Sequence, residues 1–262
     1  GAHFLSHVID RGTESRSGDA IAELLDCRGV SLNVAATRHT LVVSCTCLAE
    51  DFGTMIALIA DVVRNPRLPE SEIATRRGEI ITSIRQDQDN PAMVAVEEEL
   101  ALLYPNGHPY GRRMKGTIET VDQIDRRVLS RAHHDRFTPS ELLVVCVGDL
   151  DAARAVDESG KVFGDWRGYP ASPLLVPSPA RVEERRTAVF PMMNKAQADI
   201  AYGFNTISRL DPSYYAFPLL NHVLGPYALG RRLGDSIRER PGEACHGRSR
   251  VAPHGARAPA PP

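Results

Sequence analysis

Two histidines, His3 and His7, stand four residues apart in the run Gly1-Ala2-His3-Phe4-Leu5-Ser6-His7. On a helix that spacing puts both imidazoles on one face, about one turn apart. Two ring nitrogens so placed can hold a transition metal. Hydrolysis at such a centre also needs a third protein ligand and a carboxylate that takes a proton from metal-bound water. In this run Ser6 precedes the second histidine, where an acid would stand. A serine hydroxyl is no base at neutral pH without its own activator. The remaining candidates are weaker. His108 and the pair His133-His134 read as loop and helix-surface residues. Cys27, Cys45, Cys47, Cys146 and Cys245 are odd in number and lack a C-x-x-C pair, so buried thiols are expected.

The elements that must position these residues follow from periodicity. Ser17-Gly18-Asp19 offers an N-cap, Ile21, Leu24 and Leu25 recur at helical spacing, and Gly29 ends the helix. Ser31 to Val34 reads as a short strand. Thr40 to Leu48 alternates apolar and small polar residues, the best strand signal in the chain. Phe52, Met55, Ile56, Ile59, Val62 and Val63 predict an amphipathic helix closed by Pro66. Pro69 opens a longer helix with the stripe Ile73, Ile80, Ile81 and Ile84, ending before Asp89-Asn90-Pro91. Helices are expected from about Ala92 to Leu103, Val121 to His134 and after Asp149 to Phe163. Strands are expected over Leu142–Val147 and Gln197–Phe204. Tyr104 to Gly111 is a loop by its turn residues. A helix follows Asp211-Pro212 through Leu224, and a short one covers Leu229 to Glu239.

The organisation expected is a domain over 1–164, a proline-rich linker over 165–186, an incomplete second domain over 187–241 and an unstructured tail over 242–262. The tail has little apolar bulk and no periodicity, and a frame shift or artificial end is one explanation of it. The start without Met, in the middle of a motif, reads as a fragment. Hydrophobic residues make up 42% and charged residues 24% of the 262, as in a soluble globular chain. A net charge of −2 gives no sign of a nucleic-acid or membrane-surface partner. No apolar run approaches the roughly 20 residues of a membrane span.

An ordered series of motifs resembles the insulinase/pitrilysin family of zinc metallopeptidases. It comprises Gly1-Ala2-His3-Phe4-Leu5-x-His7 with Gly12-Thr13, Gly29-Val-Ser-Leu-Asn33, Asp89-Asn90-Pro91, and His108-Pro109-Tyr110-Gly111 with Gly116-Thr117. Phe137-x-Pro139, Val144 to Asp149 and Phe163-Gly164 complete it. The series covers about the first 240 residues. The frame of such enzymes is H-x-x-E-H, and here it is H-x-x-S-H. The resemblance implies an α+β fold, a mostly antiparallel sheet backed by helices. Such domains are repeated in pairs, two units enclose a chamber for peptides, and this chain holds one domain plus the start of a second. It places the family's first strand before Gly1, leaving an unpaired edge.

The same resemblance assigns roles by position. His3 and His7 take the zinc-ligand places and Ser6 the general-base place. The third ligand, a Glu before an Ile on the long helix, falls on Ser83, beside Thr82. A supporting Glu one heptad earlier falls on Arg76. Glu79, one turn before Ser83, is displaced by roughly 5–6 Å from the ligand place. Arg76 would repel a dication if it faced the site. Zinc belongs to the family and is expected to be absent or weakly bound here. The family's substrate-holding Arg and Tyr lie near a Gly-Leu-x-Tyr segment. Arg238 and Gly242 match the run before it, whereas Glu243 and Cys245 replace its Leu and Tyr. Ser31, Leu32, Asn33 and Val34 resemble the edge strand that receives peptide in extended form, by main-chain pairing that needs no particular side chains.

The functional expectation is therefore a catalytically inactive family member. Its role would be to bind peptide or unfolded polypeptide, or to partner an active homologous subunit or a second domain of the same family. Alternatives are an active zinc endopeptidase using His3 and His7, and a truncated product without function.

Overall fold

The computed structural model describes residues 1–168, 176–179, 184–225, 232–234, 236 and 249. Much of the expected linker, most of the tail, and Arg238, Gly242, Glu243 and Cys245 lie outside the described residues. The chain divides into two units. One comprises 1–97, 112–174 and 194–199, and the other 98–111, 175–193 and 200–262.

In the first unit the His pair opens α1 (Ala2–Ser6), with His7 as its C-cap. Ser17 caps α2 (Gly18–Asp26) by accepting a hydrogen bond from the Ala20 amide at 3.2 Å. Gly29, at φ +61°, turns the chain out of α2 and into β1 (Ser31–Ala36). The alternating stretch becomes β2 (Leu41–Thr46), antiparallel to β1 with Leu32 opposite Cys45 and Val34 opposite Val43. Leu32 and Val34 face the core, and Ser31 and Asn33 face outward. Then come α3 (Phe52–Arg64), α4 (Glu70–Gln88) and α5 (Pro91–Leu103), whose sequence crosses the division between units.

The helix expected over 121–134 is two helices, α6 (Ile118–Asp122) and α7 (Arg126–Arg136). Asp125 breaks the run by accepting the Val128 amide at 2.7 Å as a new N-cap. Asp151 likewise caps α8 (Ala152–Phe163). The second unit contains α9 (Ala216–Leu224) and the described turn α10 (Arg232–Gly234).

The core of the first unit gathers Phe4, Leu5, Val8 and Ile9 from the His segment with Ile21, Met55, Leu58, Val62, Ile73, Ile80, Ile84 and Leu129. Burying each of the larger side chains contributes roughly 1.5–3 kcal/mol. The His segment is thus held by its apolar face, and α1 packs on both α4 and β1.

Three expectations are corrected. Leu142–Val147 and Gln197–Phe204 form no strand among the described residues, and Leu143, Val145, Val147, Ile200, Tyr202 and Phe204 are exposed, Val147 to 94%. Their alternation has the period of a strand, but a strand exists only where a neighbour supplies the ladder. Cys27 and Cys146 are exposed, while Cys45 and Cys47 are half-buried, and these four thiols are free. His108 is buried rather than on a loop surface. Its Nδ1 accepts the Tyr110 amide at 3.1 Å, which leaves Nε2 to donate to the Pro177 carbonyl at 2.9 Å.

Candidate active site

The phase of α1 follows from Phe4 and Leu5, whose burial turns His3 and His7 toward the opposite side. The two rings meet edge to face, with centroids 4.7 Å apart. His3 is half-buried and His7 exposed. Burial, then His7, then Lys115 push the His3 pKa down to about 4. That of His7 is lowered by desolvation first and by the Arg76 guanidinium second. Both rings are therefore neutral at pH 7, the form able to bind a metal.

Ser6 does not point a free hydroxyl at this pair. It is buried, and its Oγ donates to the His3 carbonyl oxygen at 2.7 Å. This is the back-bonding by which a helical serine satisfies itself within its own turn.

The second wall is α4. Its buried stripe Ile73, Ile80 and Ile84 fixes the rotation of the helix and leaves Arg76, Glu79, Ser83 and Asp87 along an adjoining strip. Arg76 is close enough to His7 to shift it, and it is held by acids of its own helix. One guanidinium nitrogen donates to both oxygens of Glu79 at 2.7 and 2.8 Å, and the other lies 3.6 Å from Glu72. Glu79, the nearest substitute for a third ligand, is thereby committed to Arg76. Thr82 Oγ1 donates to the Gly78 carbonyl.

Ser83 is engaged from outside the helix. Lys115 Nζ donates to Ser83 Oγ at 2.6 Å and pairs with Asp87 at 2.6 Å, with its side chain 29% exposed. Lys115 is presented by the turn before α6, a helix packed on α4. Gly116 follows at φ +84°, and a Cβ there would lie 3.0 Å from Thr120 Oγ1. Thr117 then caps α6 with Thr120 in a reciprocal box. The backbone after Lys115 is thus constrained, and Ser83 and Asp87 hold its ammonium.

Sequence reasoning missed Lys115. The available signal was Asp87, a carboxylate one turn beyond Ser83 and in want of a cation. Nothing in local spacing says that residue 115 supplies it.

Zinc requires three protein ligands at a catalytic site. Among the described residues, no group of three or more His, Cys, Asp or Glu side chains could hold a metal ion. His3 and His7 are the donors on hand, with two cationic side chains beside them. This donor set does not fit zinc. Ser31 to Val34 remain on β1, whose second edge carries no strand among the described residues.

Comparisons with known proteins agree with this architecture. Residues 1–117 match the family model "Insulinase (Peptidase family M16)", and residues 123–248 match "Peptidase M16 inactive domain". An uncharacterized zinc protease of Mycobacterium leprae is 29% identical over 93% of this chain and 54% of that protein. A probable mitochondrial-processing peptidase subunit beta of Arabidopsis thaliana is 23% identical over 91% of this chain and 46% of its own. The chain therefore spans about half the length of the relatives it matches. A crystal structure of a peptidase M16 inactive domain from Pseudomonas fluorescens superposes with a TM-score of 0.76 at 22% identity, over 91% of this chain and 57% of that one. Pitrilysin gives 0.58 at 18% identity, over 68% and 19%. Among the described residues no helix is long and apolar enough to cross a membrane. With an α+β fold shared with these structures and the two family models meeting near residue 120, the chain belongs to the insulinase family of peptidases, M16.

Proposed function

We propose that this chain is a non-catalytic member of the insulinase family that serves proteolysis by holding an extended peptide or by completing an active homologous subunit. The observation that carries the reading is the fate of the acidic positions. Ser6 spends its hydroxyl on the His3 carbonyl, Ser83 is taken up by Lys115, and Arg76 stands beside His7. A hydrolase of this kind needs a base and a third ligand at those places.

Peptide binding does not depend on them. β1 pairs with β2 on one side, and the main-chain groups of alternate residues within Ser31, Leu32, Asn33 and Val34 face its other edge, with exposed side chains alternating with half-buried ones. An extended chain adds to such an edge without particular side chains. The domain division, with a first domain over 1–164 and an incomplete second one over 187–241, belongs to the same reading.

The test is direct. The purified chain is analysed for zinc and assayed on unstructured peptides, alone and mixed with a homologue that retains H-x-x-E-H. The reading expects no chelator-sensitive cleavage alone, and a change in the homologue's activity or peptide affinity on mixing. Stoichiometric zinc with chelator-sensitive cleavage by this chain alone would overturn it.

A further inference from the structure

We infer that Lys115 is a resident cation of the former metal site, standing in for the metal's charge between the His pair and α4 and keeping zinc out even when a third ligand is restored. The inference rests on the non-catalytic reading and adds a cause to it, because missing acids alone would leave a site that regains metal once an acid returns.

The geometry carries the argument. The ammonium is 2.6 Å from Ser83 Oγ and 2.6 Å from Asp87, so the side chain at position 83 is already engaged by a cation. The helix that carries Ser83 and Asp87 packs against α1, the helix of the His pair, so the ammonium is anchored on the wall that faces that pair. Arg76, nearer the start of the same helix, is held by Glu79 and Glu72. A dication could draw on Asp87 or Glu79 only by displacing the ammonium or guanidinium already paired with it. A glutamate placed at 83 would meet an ammonium already within hydrogen-bond distance, and a charge-assisted pair would form before any metal bond. Lys115 also compensates Asp87, whose side chain is only 19% exposed. The α4 strip is thus supplied with a cation without any metal.

The experiment measures zinc affinity by competition with a chromophoric chelator for four proteins: the wild type, Ser83→Glu, Lys115→Met, and Ser83→Glu with Lys115→Met. Met keeps most of the lysine's length and removes its charge. The expected result is no gain for either single variant and a gain of about tenfold or more for the double, the scale on which one neighbouring charge acts. A second double, Ser83→Glu with Lys115→Arg, keeps the charge and is expected to behave like the wild type. Circular dichroism of each variant confirms that the comparison is between folded proteins. Two results would overturn the inference: zinc bound by Ser83→Glu as tightly as by the Met double, or a folded Met double that gains nothing. Neither touches the non-catalytic reading, which fails only if the wild type cleaves peptides with bound metal.

Discussion

Replacing Asp61 with asparagine should loosen the segment that joins the His pair to α2, and should do so in a pH-dependent way. Asp61, on α3, binds the segment after α1. Thr13 Oγ1 and Ser15 Oγ each donate to its Oδ2 at 2.6 Å, and Arg16 reaches the same oxygen at 3.1 Å. Asn65 Nδ2 donates to Oδ1 at 3.1 Å. The Asp61 side chain is 13% exposed and Thr13 is buried, so water replaces little of this network. Burial by itself raises the Asp61 pKa. The hydrogen bonds from Ser15, Thr13 and Asn65, with the Arg16 charge, outweigh that and hold it below the usual carboxylate range. Hydrogen bonds to a charged group contribute roughly 1.5–3 kcal/mol each, but asparagine keeps one acceptor, so a net loss of about 2–3 kcal/mol is expected at pH 7. For a unit of this size that is a fall of about 4–12 °C in Tm. A folded pKa below the unfolded one means that the charged form stabilises above the unfolded carboxylate range. That contribution fades as pH falls through the folded value. The gap between wild type and Asp61→Asn in urea unfolding should therefore be full at pH 7 and shrink below about pH 4. A difference under about 0.5 kcal/mol at pH 7, or one that stays constant into acid, would refute the reasoning.

Four further outcomes are expected. Leu129→Ala empties a fully buried position on α7 and should cost about 2–5 kcal/mol in urea unfolding. Ser17→Ala removes the cap of α2 and should cost about 1 kcal/mol, with Ser17→Asp close to neutral. Gly111→Ala should lower Tm by several degrees, because the new Cβ falls on the Tyr104 carbonyl oxygen and backbone cannot yield as a side chain would. His133 has its pKa lowered by burial, with Nε2 at 2.7 Å from the Val63 carbonyl. The unfolded chain therefore takes up the proton first, and stability should fall as pH drops below about 6.5, less so in His133→Gln.

The elements legible in the sequence are those decided by neighbours in the chain. Ser17, Pro69 and the isoleucine stripe of α4 place their helices because caps and 3.6-residue periodicity act within a few residues. The His pair was legible for the same reason, since four residues on a helix make a face wherever the helix lies. Leu142–Val147 and Gln197–Phe204 were not decided this way. Their alternation states a preference for strand, whereas pairing depends on which segment comes alongside. The split between α6 and α7 turned on one carboxylate, Asp125, that could cap as easily as continue. Lys115 marks the same limit at the candidate site. The family resemblance puts Ser6, Ser83 and Arg76 at acidic places of a metal centre, but the side chain that engages Ser83 comes from a residue 32 positions away. Lys115 pairs with Asp87, so removing the lysine alone would leave that partly buried carboxylate without its cation, whereas a glutamate at 83 would meet the ammonium already in place.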